Sequence, residues 1–322
     1  MPIRFITPGL GVSTGHEIDS PRWAVAVAYR RLTTHYWYVG RELREDKEPF
    51  GQPVVFHINS LDVTVSYEAT SRLSLALNVP FQYGTQSRFY RDLARHEVSA
   101  AGLGDVNLIG TVWLGKPATH TSRNLALGMG VKAPTGNNHV EDDFFTLTGR
   151  TRWTVDPSVQ LGDGGWGIFL QTQGYQRMLG RTLAYLQGSY LVSLREKSAV
   201  QTGPGPTGTG SGVFITVPDQ YSARIGAEYA LPMAPGISTS LGVRVNGITV
   251  RDLIGGGDDG FRRPGYTLYL DPGLSFAFGQ EALTLSVPVG LTYDFKHDVT
   301  PTHEGGGDFA RFLIFASYSR RF

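Results

Sequence analysis

Histidines, hydroxyls and clustered acids are the side chains through which this chain could hydrolyse a bond or hold a cation, and their spacing assembles neither site. Nucleophilic hydrolysis needs a hydroxyl within hydrogen-bond reach of a histidine that a third group orients. His57 and Ser60 fall on opposite faces of an extended segment, and His297 beside Asp298 and His303 beside Glu304 have no partnered nucleophile. An oxygen-ligand cation site needs carboxylates at a fixed loop spacing. The acids within Gly255 to Gly260 and within His303 to Asp308 sit among glycines without EF-hand or β-helix spacing, so they read as solvated turns. Glu141, Asp142 and Asp143 beside Phe144 and Phe145 read as an acidic loop. No catalytic residue, metal ligand or cofactor is expected. What remains is the chemistry of a polar lining. Asp62, Glu68, Asp105, Glu228, Asp271 and Asp294 stand against Arg72, Lys132, Arg224 and Arg244, with the amides Gln171 and Gln173.

Those side chains matter only if one face collects them, and the chain is patterned to do so. About twelve segments alternate apolar and polar residues with a period of two, which gathers each set on one face of a strand. Leu61, Val63, Val65 and Tyr67 oppose Asp62, Thr64, Ser66 and Glu68. Leu125, Leu127, Met129 and Val131 oppose Gly128, Gly130 and Lys132. Trp166, Ile168 and Leu170 oppose Gln171 and Gln173, while Tyr221 to Tyr229 oppose Arg224 and Glu228. Tyr266 to Phe278 oppose Asp271, and Leu283, Leu285, Val287, Val289, Leu291, Tyr293 and Phe295 oppose Thr292 and Asp294. The candidate lining residues all fall on the polar row.

The 322 residues carry a formal charge of +1, no Cys and 41 Gly, with a mean hydropathy of −0.14. Near-neutrality argues against a nucleic-acid partner. No run approaches the ~18 apolar residues of a spanning helix, whereas alternation dilutes the hydrophobicity of a spanning barrel. The connections alternate in length. Those after even-numbered strands are short (Ala69 to Ser71, Gly279 to Ala282), and those after odd-numbered strands are long (Pro134 to Gly164, Arg195 to Pro218). Short turns on one side and long loops on the other are the plan of an outer-membrane barrel. Aromatic residues fall in two belts, Trp23, Tyr67, Tyr229, Phe278 and Phe322 at the short-turn end and Tyr29, Tyr83, Tyr221, Tyr266, Tyr293 and Phe295 at the other. The ten or so residues between them span roughly 23 Å at ~3.3 Å rise and 45° tilt, close to an apolar band. The predicted fold is all-β, a transmembrane antiparallel up-and-down β-barrel of about 12 strands over residues 21–322. Residues 1–20 precede it as a periplasmic segment or a lumen plug. Pro80, Pro272 and Pro288 fall inside strands, where bulges or gaps in pairing are expected.

The final strand, DFARFLIFASYSRRF, resembles the C-terminal strand of bacterial outer-membrane barrels, in which a last aromatic residue is the assembly signal. That resemblance implies Tyr318 and Phe322 in this role, outer-membrane localisation, the barrel-assembly machinery as a partner, and contact with membrane lipid and lipopolysaccharide. Arg88, Arg91, Arg95 and His96 form the most basic long-loop stretch, suited to lipopolysaccharide phosphates. No basic start followed by an apolar run precedes the first strand, so the membrane reading takes Met1 to open a mature form.

The segments GLGDVNLIG (Gly102 to Gly110), KAPTG (Lys132 to Gly136) and GDGGWGIFLQTQGY (Gly162 to Tyr175) resemble a bacterial outer-membrane family linked to meta-pathway phenol degradation, distantly like the long-chain fatty-acid outer-membrane transporters. The resemblance implies a channel for passive uptake of small hydrophobic or aromatic solutes, and no enzyme. The alternative is a closed structural or surface-binding barrel whose long loops carry the role. In the first case the polar row lines a path, and in the second its charges pair and fill the bore.

Overall fold

In a computed structural model that describes residues 22–45, 53–147, 149–204, 210–254, 260–300 and 303–322, every alternating segment is a strand hydrogen-bonded to its sequence neighbours. The strands are β1 (Trp23–Thr34), β2 (Val55–Glu68), β3 (Leu73–Phe89), β4 (Arg95–Leu103 continued by Asn107–Trp113), β5 (Arg123–Lys132) and β6 (Gly167–Arg177). They continue as β7 (Thr182–Ser193), β8 (Gln220–Ala230), β9 (Ile237–Ile248), β10 (Gly265–Phe278), β11 (Glu281–Ser286 continued by Val289–Phe295) and β12 (Leu313–Arg321). All pairings are antiparallel, and β12 pairs with β1 to close the barrel. The closing seam ends with the Phe322 amide donating to the Trp23 carbonyl at 2.8 Å. Closure leaves no edge strand, the condition for a sheet to cross lipid. The expected segment 1–20 lies outside the described residues, as do Gly255 to Asp259.

The outer face is apolar and bare. Leu61, Leu127, Met129, Ile225 and Leu241 are 43%, 52%, 66%, 65% and 56% exposed. A continuous belt of this kind is stable only against hydrocarbon. Trp23, Tyr229, Phe278 and Phe322 stand exposed at the short-turn end, and Tyr83 at the other. Arg320 shares the outer face at the short-turn rim, where Glu281 lies 3.4 Å away.

The prolines act as expected. Opposite Pro80, β4 breaks over Gly104 to Val106, and only the Gly104 amide reaches the Pro80 carbonyl, at 2.7 Å. Facing Pro272, β11 breaks at Val287 and Pro288.

One bulge overturns a sequence expectation. Between β10 and β11 the register runs Leu268↔Thr292 and then Tyr269↔Gly290, so Leu291 is an extra residue. One added residue exchanges the faces of everything beyond it. Tyr293 and Phe295, predicted for the outer aromatic belt, instead turn into the barrel and are buried. Asp294, predicted to line the interior, pairs with Tyr266 on the outer face near Arg41 (3.7 Å) and Lys296 (3.9 Å).

Two long loops fold into the long-loop half of the bore. Between β5 and β6 a hairpin (Glu141–Thr146 with Gly149–Thr154) leads into Val155, Val159 and Leu161, which pack on Phe56, Val98 and Ala100 of the inner wall and on Tyr90. Between β7 and β8, Lys197–Gln201 pairs with Phe214–Thr216 and buries Val200, Ile215 and Val217.

Candidate functional site

The three glycine-bearing segments converge. Asp105 lies in the break of β4, Lys132 ends β5, and Asp163 sits where the inward loop returns to β6. Lys132 Nζ is 3.0 Å from Asp105 Oδ2, 2.5 Å from Asp163 Oδ1 and 2.7 Å from the Gly165 carbonyl oxygen. All three side chains are at most 7% exposed. The remaining carboxylate capacity is used by backbone: the Gly136 amide donates to Asp105 and the Gly165 amide to Asp163. Glycine is required at the crossing, because a Cβ on Gly136 or Gly162 would collide with the other's backbone. One ammonium thus ties both ends of the inward loop to the wall. Breaking such a buried group by removing one partner typically costs about 3–5 kcal/mol.

Farther along the wall, β8 presents Arg224, β9 Arg244 and β10 Asp271. The two guanidinium Nε atoms lie 2.8 and 2.9 Å from Asp271 Oδ2, and the Ser286 hydroxyl donates to Oδ1. Arg224 also covers the ring of Tyr185 at 4.7 Å and Arg244 that of Phe315 at 4.9 Å. Two cations against one carboxylate leave this girdle formally positive. Tyr185 is buried over Gly226 and Gly242, where an added Cβ would meet its hydroxyl. Gly242→Ala is expected to displace that ring and destabilise the barrel by about 1–3 kcal/mol. A lowered temperature for the heat-induced shift in electrophoretic mobility would register it, and an unchanged one would refute the packing role.

Below the girdle, a cavity of about 530 Å³ opens at the short-turn end, bordered by Glu228, Ser238, Ser275, Thr284, Ser319 and Arg321. Above it, aromatic rings gather at the long-loop mouth. Tyr38 stacks on Tyr293 at 4.4 Å, Arg311 lies 3.4 Å over the Tyr36 ring, and Arg263 covers Trp37 at 4.6 Å. The His35 ring lies tilted against that of Tyr36, with centroids 3.9 Å apart. Burial first, then the nearby Arg311, lower the pKa of the His35 imidazole from the ordinary value.

The other predicted residues divide by place. Asp62 is buried on the inner face and accepts from Ser60 Oγ at 2.9 Å. Gln171 and Gln173 are half-buried, on the face shared with buried Phe169 and Tyr175. Glu68 is half-buried at the short-turn rim, and Glu228 borders the cavity there. Arg72 is a correction: it precedes β3, is exposed at the rim, and donates to the Leu114 carbonyl at 3.2 Å. Tyr318 and Phe322 point outward. The charges join partners beside them on the wall or on the inward loop. Asp163, Tyr185, Tyr36 and Tyr38 escaped sequence reasoning, since loop residues carry no periodicity and inner aromatics resemble outer ones. In the acidic hairpin Asp143 pairs with Arg150 at 2.9 Å, and among the described residues no three His, Asp or Glu side chains cluster as a metal site.

The whole barrel superposes on a crystal structure of an outer-membrane channel from Pseudomonas putida F1, with a TM-score of 0.64 and 16% identity over 99% of this chain and 100% of that one. The fold is that of an outer-membrane β-barrel. A toluene transporter of P. putida, TodX, aligns at a TM-score of 0.44 with 10% identity, covering 94% of this chain and 91% of that chain. A Pseudomonas aeruginosa FadL homologue aligns at 0.43 with 9% identity, covering 94% and 90%. No protein-family model and no curated protein matches the sequence.

Proposed function

We propose that the chain is a passive outer-membrane channel for small hydrophobic or aromatic solutes. The observation that carries the reading is the open cavity of about 530 Å³ inside the barrel, beneath Arg224 and Arg244 and bordered by Glu228, Ser238, Thr284 and Arg321. Guanidinium and hydroxyl groups bordering such a cavity offer aromatic solutes cation–π and hydrogen-bond contacts weak enough to favour passage over retention. The solved structure with the same fold is described as a channel, which supports the reading. Membrane lipid and lipopolysaccharide around the barrel, and its insertion by the barrel-assembly machinery through Tyr318 and Phe322, belong to the same proposal.

Recording from the purified barrel in planar bilayers tests it. Discrete conductance steps, with flux of a small phenol into vesicles, are expected. Silent bilayers and impermeable vesicles would instead favour a closed barrel that works through its loops. The positive girdle adds a second expectation, that Arg244→Gln shifts the reversal potential in a salt gradient toward cation preference. An unmoved potential would remove the girdle from the path.

A further inference from the structure

The outer wall carries a feature that a channel does not need. Near the short-turn end the apolar belt is interrupted by a dent of about 570 Å³. The register explains it: Gly174 on β6 faces outward between Leu125 on β5 and Leu186 on β7, and with no side chain of its own it lets those two lean over its backbone, leaving the wall low around them. Ala184 and Ile225 extend the depression. Behind it the wall is shut, since the buried Tyr175 and Tyr185 occupy the opposite face and the Tyr175 hydroxyl donates to the His120 carbonyl at 3.0 Å. Whatever fills the dent therefore comes from the membrane. At the headgroup end lies exposed Arg123, with exposed Lys116 in the adjacent turn, and no carboxylate is among the lining residues.

We propose that this dent binds one glycerophospholipid of the periplasmic leaflet, one acyl chain lying along Leu125, Ala184 and Leu186 and the phosphate held by Arg123. An apolar trough ending in a cation at the depth of the interface matches an anionic lipid in both parts. The placement rests on the membrane topology and stands whether or not the bore conducts.

Native mass spectrometry of the full barrel, delipidated in detergent and titrated with palmitoyl-oleoyl phosphatidylglycerol, tests the site. One lipid is expected to bind the unaltered protein at least tenfold more tightly than any further lipid. Gly174→Leu and, independently, Ala184→Leu fill the trough from two sides and should abolish that event, whereas Ala316→Leu on the outer face of β12, between Tyr29 and Leu285, should not. Arg123→Gln should weaken phosphatidylglycerol several-fold while leaving uncharged diacylglycerol unchanged. Retention of the tight lipid by both filled variants, or its equal loss in Ala316→Leu, overturns the proposal. Ala184→Leu does not disturb the Gly174 backbone, so it decides the matter even if Gly174→Leu fails to fold.

Discussion

Lys132→Met is expected to release the inward loop and raise the single-channel conductance. The substitution keeps much of the side-chain length but removes the ammonium that lies between Asp105 and Asp163, leaving two buried carboxylates in one site. Like charges at that distance cannot both stay ionised out of water, and the cost of about 3–5 kcal/mol is most cheaply relieved by letting the loop carrying Asp163 swing away. Residues 155–163 would then leave the inner wall, uncovering Phe56, Val98 and Ala100. Limited proteolysis should cut the Lys132→Met protein between residues 133 and 166 faster than the unaltered one. The triple variant Asp105→Asn, Lys132→Met, Asp163→Asn removes the charges together and should recover much of the resistance. An unchanged digestion pattern and conductance in Lys132→Met would show that apolar packing alone holds the loop.

Deleting Leu291 should be more damaging still. Without the extra residue the strict alternation returns, Tyr293 and Phe295 turn toward lipid, and Asp294 turns inward. The stack of Tyr38 on Tyr293 and the packing of Phe295 on Phe309 at 4.6 Å are both lost. Losing two buried aromatic side chains costs on the order of 3–5 kcal/mol each. The expected result is a chain that fails to reach the heat-modifiable folded form in detergent. Substituting Leu291→Ala keeps the count of residues, so it should fold. Normal folding of the deletion would mean that the register of β11 is set elsewhere.

These cases show what the sequence makes legible. Lipid demands apolar side chains on the outer face of every strand, so the alternation of Leu125, Leu127, Met129 and Val131 is imposed residue by residue and is readable without neighbours. A bulge leaves no such trace, because Leu291 is as suited to lipid as the residues around it. Asp294 was misplaced for that reason. The buried tie was half visible: Asp105 and Lys132 lie on strand-like alternation, while Asp163 belongs to a loop whose position depends on a fold through the bore. Arg72 shows the limit at strand ends, where parity continues in sequence after the wall has stopped.

The crossing of Gly136 and Gly162 has a consequence for how this barrel can change. The chain departs for the hairpin of residues 141–154 and returns from it at nearly the same point, with both ends fastened by the Lys132 cluster. The hairpin tip between them is a cassette whose length and composition can be exchanged while the fastening stays the same, since loop-closure entropy grows only slowly with length. Diversification of what the mouth admits would then be concentrated in that cassette, and a grafted peptide or reporter inserted near its tip would be displayed without disturbing the barrel below.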